Sequence, residues 1–227
     1  MRFAGIPLFI AYYIFSFSVI ADETVPFFVA DAGQKTFPDH PAIKNDPKKA
    51  QRIQDAVSPD EIARARENAY LFRKAAKKYD LDWLMLLAQG YQESRLDQSA
   101  VSPGGALGIM QILPSTAADR NVDIPDISTM ENNLTAGAKY MRFIMNRYIS
   151  GEGIDPLNRH LLALASYNAG PARISRLRKQ AAKRGLDPNK WFRNVEYMVA
   201  EKIGQKSVDY VLNIYLLYGA YKQVMQD

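Results

Sequence analysis

Gln92–Pro114 reads QESRLDQSAVSPGGALGIMQILP, and the reading of the whole chain turns on it. One carboxylate, Glu93, stands at the end of an apolar run that begins at Trp83. A loop follows with Ser102-Pro103 and the glycines Gly104, Gly105 and Gly108. Then come Ile109-Met110, a lone amide at Gln111, and Ile112-Leu113-Pro114. Asp82 is an N-cap residue in position to open the helix that delivers Glu93. Among Leu86, Leu87, Gly90 and Tyr91, Glu93 is expected to be buried, and burial raises a carboxyl pKa because it disfavours the charged form. A glutamic acid held near ~6 serves as a general acid at neutral pH. Glycine lets a backbone turn tightly or approach a ligand closely, and an amide among apolar neighbours needs partners.

Taken singly, each feature has an ordinary explanation. A lone Glu near a helix end is usually a solvated charge, and a Gly-rich loop is usually a turn. The ordered combination carries more, because two further blocks follow it: Asn133–Met141, NLTAGAKYM, and Leu164–Pro171, LASYNAGP.

Composition narrows the classes. A chain of 227 residues fits one domain with a short extension. It has no cysteine, which excludes disulfides, thiol chemistry and a lipid-bearing N-terminal Cys. His40 and His160 stand far apart with no metal-ligand spacing, so neither metal nor other cofactor is expected. The net charge of +5 suits anionic surroundings such as cell wall or nucleic acid. No nucleic-acid motif accompanies it, so nucleic acid is not an expected partner.

The first residues pattern as a secretory signal. Met1-Arg2 precedes an apolar run from Phe3 to Ile20, and Val19-Ile20-Ala21 offers small residues for cleavage. Residues 1–21 are therefore expected to be a signal peptide, with an uncleaved anchor as the rival. Either way the rest of the chain is exported, and periplasmic location follows, peripheral to the membrane at most. Residues 22–57, with Pro26, Pro38, Pro41 and Pro47, read as an extended leader. The domain proper is expected over 58–227.

That domain reads as nearly all α, with no sustained period-two alternation. Ser58–Glu61 has the form of a capping box opening a helix to about Lys78, with Ile62, Ala65, Ala69, Phe72 and Ala76 on one face. Ser128–Glu131 is a second such box, opening a helix through Gly137 to Tyr148. Asp155-Pro156 opens an apolar helix ending at Tyr167-Asn168, and Gly170-Pro171 separates it from a helix with a basic outer face at Arg173, Arg176, Lys179, Lys183 and Arg184. Asp187-Pro188 is read as starting a helix through Trp191, Val195 and Met198, and Ser207 as capping the last, Tyr-rich helix.

With all three blocks in view, the chain from about Glu61 to Tyr221 resembles the catalytic domain of soluble-type lytic transglycosylases, relatives of goose-type lysozyme. The resemblance implies a lysozyme-like helical fold and cleavage of the MurNAc–GlcNAc β-1,4 bond of peptidoglycan glycan strands, with a 1,6-anhydro product. It implies Glu93 as the single acid and base. Glycosidases ordinarily use two carboxylates, but the acid nearest Glu93 in sequence is Asp97, in a loop region. Ser102 and Gln111 would bond the sugar or its acetamido group, and Met110 would pack against the ring. Tyr167 would face the reacting ring and bond its acetamido carbonyl or Glu93, and Asn168 would line the same floor. Tyr210 matches the tyrosine of the family's block Glu-Thr-x-x-Tyr-Val, but Lys206 stands where that block has its Glu, which leaves support for Glu93 from that side open, with Glu196 or Glu201 as substitutes. A lysozyme-type hydrolase and a non-catalytic wall-binding or assembly protein remain as alternatives. A small enzyme without wall-binding repeats suits local wall opening for an envelope-spanning secretion or conjugation assembly.

Overall fold

The computed structural model describes residues 55–225, all within the unit Asp39–Asp227. The expected signal peptide, 1–21, and residues 22–54 of the expected leader lie outside the described residues. Among the described residues there are eight α-helices, and the only strand pairing is two isolated bridges, Val101 to Leu107 and Leu107 to Ile112. The mainly α expectation holds. Ala56 is already enclosed in the core, so packing begins just before Ser58.

Helix α1, Pro59–Lys78, has Pro59 in its first turn with Asp60 and Glu61 at the positive end of the dipole. Ser58 is its N-cap residue, but the side chain makes no capping bond, so the expected box does not form. Helix α2, Trp83–Ser94, is capped as expected: Asp82 Oδ1 accepts from Leu84 N at 2.9 Å and Met85 N at 3.2 Å. It stops where Arg95 and Leu96 take positive φ of 57° and 63°. The short α3 is Pro114–Ala117. Helix α4, Met130–Tyr148, is capped by Thr129, whose hydroxyl accepts from Asn132 N; Ser128 instead bonds Asp126. Helix α5, Pro156–Ala169, is capped by Asp155, and α6, Pro171–Lys183, turns Ile174, Leu177 and Ala181 inward and Arg173, Arg176, Lys179 and Lys183 outward, while the partly buried Arg178 bonds Tyr148 O, Pro188 O and Asn189.

Two expected helix starts are corrected. No single helix runs from Asp187 through Met198. Phe192 is extended at ψ 135° and Arg193 is left-handed at φ 59°. Local side chains hold that break: Asn194 Oδ1 accepts from Asp187 N and Glu196 Oε1 accepts from Arg193 N, so the polar groups are satisfied outside a helix ladder. Only α7, Glu196–Lys202, is regular. The last helix, α8, spans Gln205–Val224 behind Gly204 at φ 127°, so Ser207 lies inside it rather than at its cap.

Three helices form the centre. Residues Met85 to Tyr91 of α2 are buried without interruption, as are His160 to Ser166 of α5, and α8 buries residues on every side. A helix apolar all round belongs in a core. Phenols of α8 meet α2 at both ends: Tyr218 donates to Asp82 Oδ2 at 2.7 Å, and Tyr210 to Glu93 Oε1 at 2.5 Å. A smaller apolar cluster of Ile112, Ala117, Val122, Ile127 and Ala136 packs beneath the long loop.

His160 is a buried polar group of this core, and its Nε2 has no hydrogen-bond partner. Burial holds its pKa down at about 4 from the ordinary 6.5, outweighing Asp82, which favours the charged form; Arg142 opposes it. The folded pKa lies below the unfolded one, so the unfolded chain binds the extra proton first, and stability contributed by neutral His160 is lost as pH falls from 6.5 toward 4. At roughly 1.4 kcal/mol per unit this amounts to about 3 kcal/mol. In urea unfolding, the stability of wild type relative to His160→Leu should fall by about that amount between pH 7 and pH 4. A difference that does not change with pH would contradict it.

Candidate active site

Each central helix contributes one residue to a common place. Glu93 comes from the last turn of α2, Tyr167 from the last turn of α5, and Tyr210 from α8. Glu93 is half-buried as a residue, but its carboxyl turns inward to accept the Tyr210 hydroxyl. Burial pushes that carboxyl up to about 7 from 4.5, and the Tyr210 hydrogen bond pulls the other way. Tyr210 and Tyr167 are raised well above the ordinary phenol value, by burial first and then by the neighbouring Glu93 charge. Both therefore stay protonated, and the titrating group of the trio is Glu93.

The loop that follows Glu93 is bolted to α4. Asn133, completely buried, accepts from Met110 N at 2.9 Å and donates to Leu107 O at 2.9 Å. Gln98 accepts from Ile109 N and donates to Ile127 O, each at 3.2 Å. Ser94, the serine of QES, donates to Ile109 O at 3.0 Å and so ties the end of α2 to the same strip. Two glycines are required by this packing. A Cβ on Gly108, at φ +73°, would lie 2.4 Å from Asn133 Nδ2, and one on Gly137 would lie 2.8 Å from the Met110 side chain.

The expected substrate residues are placed unequally. Tyr167 donates its hydroxyl to Met110 O at 2.9 Å, so its proton is engaged by the strip, with Glu93 close enough to bear on its titration. Gln111, left-handed at φ 44°, donates through Nε2 to Ala100 O and Gly108 O; it braces the loop that it was expected to project from. Ser102 Oγ accepts from Ala106 N within its own turn. Asn168 is exposed at the end of α5. Met110 departs from its expected role: its side chain is wholly enclosed against Gly137, so what it brings to the site is its carbonyl. Leu113, 42 % exposed, is the outward apolar residue of the same strip.

Lys206 is exposed, and Tyr210, one turn on, still reaches Glu93. Of the two substitutes, Glu196 accepts from Arg193 N and Glu201 pairs with Arg184 and Lys202. Asp97 accepts from Ser99 N and Oγ in an exposed turn and stays an ordinary ionised carboxylate, held low by those bonds. A cleft of about 290 Å³ has Tyr140, Phe143, Ser115, Thr116 and Asp119 among its walls and none of the trio; Tyr140 is its link to Tyr167. The ring of Tyr140 lies 5.3 Å from that of Tyr167. Asn133, Gln98 and Ser94 were not singled out as site residues; the buried-amide argument applied to Gln111 would have found Asn133, inside an apolar helix face.

Two outcomes follow. Gly108→Ala forces a side chain onto a left-handed backbone against Asn133, and should lower stability by about 2–4 kcal/mol in chemical unfolding; a loss under 1 kcal/mol would contradict the close approach. For Glu93 the folded pKa is above the unfolded one, so ionisation disfavours the fold as pH rises from 4.5 to about 7. Glu93→Gln should therefore gain about 2 kcal/mol over wild type at pH 8 relative to pH 4, after discounting for partial exposure. A gain that is independent of pH would argue for an ordinary surface carboxylate.

Residues 70–189 match the family described as Transglycosylase SLT domain. A protein of Desulfosudis oleivorans named membrane-bound lytic murein transglycosylase F is 36% identical over 166 residues, covering 67% of this chain and 36% of that protein. One of the same name from Erwinia tasmaniensis is 41% identical over 121 residues, covering 53% of this chain and 23% of that protein. The chain thus spans about a third or less of these relatives' length. Among solved structures, the 70 kDa soluble lytic transglycosylase SLT70 of Escherichia coli superposes with a TM-score of 0.56 at 21% identity, over 79% of this chain and 29% of that one. An inactive mutant of the lytic transglycosylase Slt from Pseudomonas aeruginosa gives 0.52 at 21% identity, over 68% of this chain and 24% of that one. The fold is the lysozyme-like one those structures share, and the chain belongs to the transglycosylase SLT domain family.

Proposed function

We propose that this chain is a peptidoglycan lytic transglycosylase that cleaves the MurNAc–GlcNAc β-1,4 bond of glycan strands, with Glu93 as the sole general acid and base. The observation that carries the reading is the inward carboxyl of Glu93, held by Tyr210 and raised by burial to about 7. A group with that pKa is populated in both protonation states at neutral pH, which a residue that must first give and then take a proton requires.

The steps balance without a second carboxylate. Glu93 gives its proton to the glycosidic oxygen as the bond from MurNAc C1 to that oxygen breaks, and GlcNAc leaves with its hydroxyl restored. The Glu93 carboxylate then takes the proton of the MurNAc 6-hydroxyl as O6 bonds to C1, closing the 1,6-anhydro ring. The carboxyl ends as it began, and no water is consumed. The cleft beside Tyr140 offers aromatic faces and the hydroxyls of Ser115 and Thr116 to a sugar ring of the strand. Leu113 takes the apolar contact first assigned to Met110, and Ser102, Gln111 and Asn168 shape the loop and floor around it. Signal-directed export would place this chemistry in the periplasm, and the envelope setting in the relatives' names agrees with it. No partner assembly belongs to this reading: the relatives give no support to a secretion or conjugation apparatus.

Mass spectrometry of muropeptides released from purified sacculi checks the reading. Wild type should release anhydro-muropeptides, and Glu93→Gln should lose at least about three orders of magnitude in rate, as removal of an acid and base together does. Products heavier by one water would make the enzyme a hydrolase, and full activity in Glu93→Gln would remove Glu93 from the chemistry.

A further inference from the structure

The apolar run of α2 contains one polar side chain that neither the fold nor the mechanism above uses. Gln89 is completely buried, and neither its amide nitrogen nor its amide oxygen makes a well-aligned hydrogen bond. An unsatisfied buried amide is costly, so its presence asks for a reason. It stands one helical turn before Glu93, and residues four apart share a helix face. That face looks onto α8, where Tyr210 meets Glu93. The Gln89 amide lies close enough to the Tyr210 hydroxyl to bear on its titration, acting against burial and Glu93. The last torsion of a glutamine side chain is soft, so the amide can align on that hydroxyl.

The proton count fixes the direction. Tyr210 has one hydroxyl proton, and it is donated to Glu93 Oε1. Toward Gln89 the phenol oxygen can only accept, and the amide must present its NH2. We propose that Gln89 is a positioning residue of this site: its Nε2 donates to Tyr210 Oη, which holds the Tyr210 hydroxyl on Glu93 Oε1 and leaves Oε2 to carry the proton that meets the glycosidic oxygen. This rests on the reading of Glu93 as acid and base. A donor on the phenol oxygen polarises the hydroxyl and strengthens its bond to the carboxylate, because hydrogen bonds in a chain reinforce one another. The titratable groups facing Glu93 are Tyr210 from α8 and Tyr167 from α5, and the Tyr167 proton is engaged by Met110 O.

The test is a titration of the Glu93 carboxyl by carbon-13 NMR in the free protein, in wild type, Gln89→Met, Tyr210→Phe and the double variant. Methionine keeps the length and volume of glutamine without its donor; Gln89→Leu serves as the second side chain should Gln89→Met fail to fold. Losing a donor to the charged form raises a carboxyl pKa. Gln89→Met should raise the Glu93 midpoint by about half a unit, and Tyr210→Phe by more. The double variant should match Tyr210→Phe alone, since Gln89 acts only through that hydroxyl. On glycan strands, Gln89→Met should lower kcat about tenfold with KM nearly unchanged. A midpoint equal to that of wild type, or an equal shift in both backgrounds, would reduce Gln89 to a packing residue. The titration uses no substrate, so its failure overturns the positioning role alone, whereas failure of wild type to release anhydro product overturns the transglycosylase reading alone.

Discussion

The hydrogen bond from Tyr210 to Glu93, made where protein has replaced water around the carboxyl, sets the terms for the rest of the molecule. Desolvation favours the protonated acid and the phenol favours the carboxylate, and the two leave the group poised near neutrality. Either alone would spoil the site. An exposed Glu would be ionised and unable to protonate a leaving group, and a buried one without Tyr210 would be slow to give up its proton. The arrangement destabilises the fold at pH values where Glu93 ionises, a common feature of groups held for chemistry.

Holding that bond in place occupies much of the structure. The two residues come from distant parts of the chain and meet because α2 and α8 are both enclosed and are pinned again at the other end by Tyr218 on Asp82. The third central helix, α5, carries Tyr167 in its last turn, and that hydroxyl reaches the Met110 carbonyl, so the Glu93 end of α2 and the loop strip are fastened from two directions. Gly137 lets α4 lie on Met110, and Gly108 lets the loop pass over Asn133. The loop has almost no regular structure, and buried amides do for it what a sheet ladder would do elsewhere.

Much of this was legible in the chain. Helix periodicity located α1, α2, α4, α5 and α6, and N-cap aspartates marked the starts of α2 and α5, because both are local signals. The misreadings are also local. Asp187-Pro188 looks like a helix start, but Asn194 and Glu196 satisfy the backbone in a broken turn. Ser207 looks like a cap, but Gly204 turns the chain earlier. At the site, Glu93, Tyr167 and Tyr210 come together, whereas Met110 turns inward: a continuous apolar strip does not announce which residue faces out. Gln89 was not singled out at all, since its neighbour is supplied by a helix far along the chain.

The account stands on one carboxyl that is protonated when free enzyme meets glycan near neutral pH. The pH dependence of kcat/KM on purified glycan strands tests this most directly, since it reports the essential acid of the free enzyme. The account predicts that activity falls as pH rises through about 7, with a single deprotonation. A fall centred instead on the ordinary glutamate value of 4.5 would contradict it, because the acid would then be a solvated carboxylate and not the enclosed Glu93.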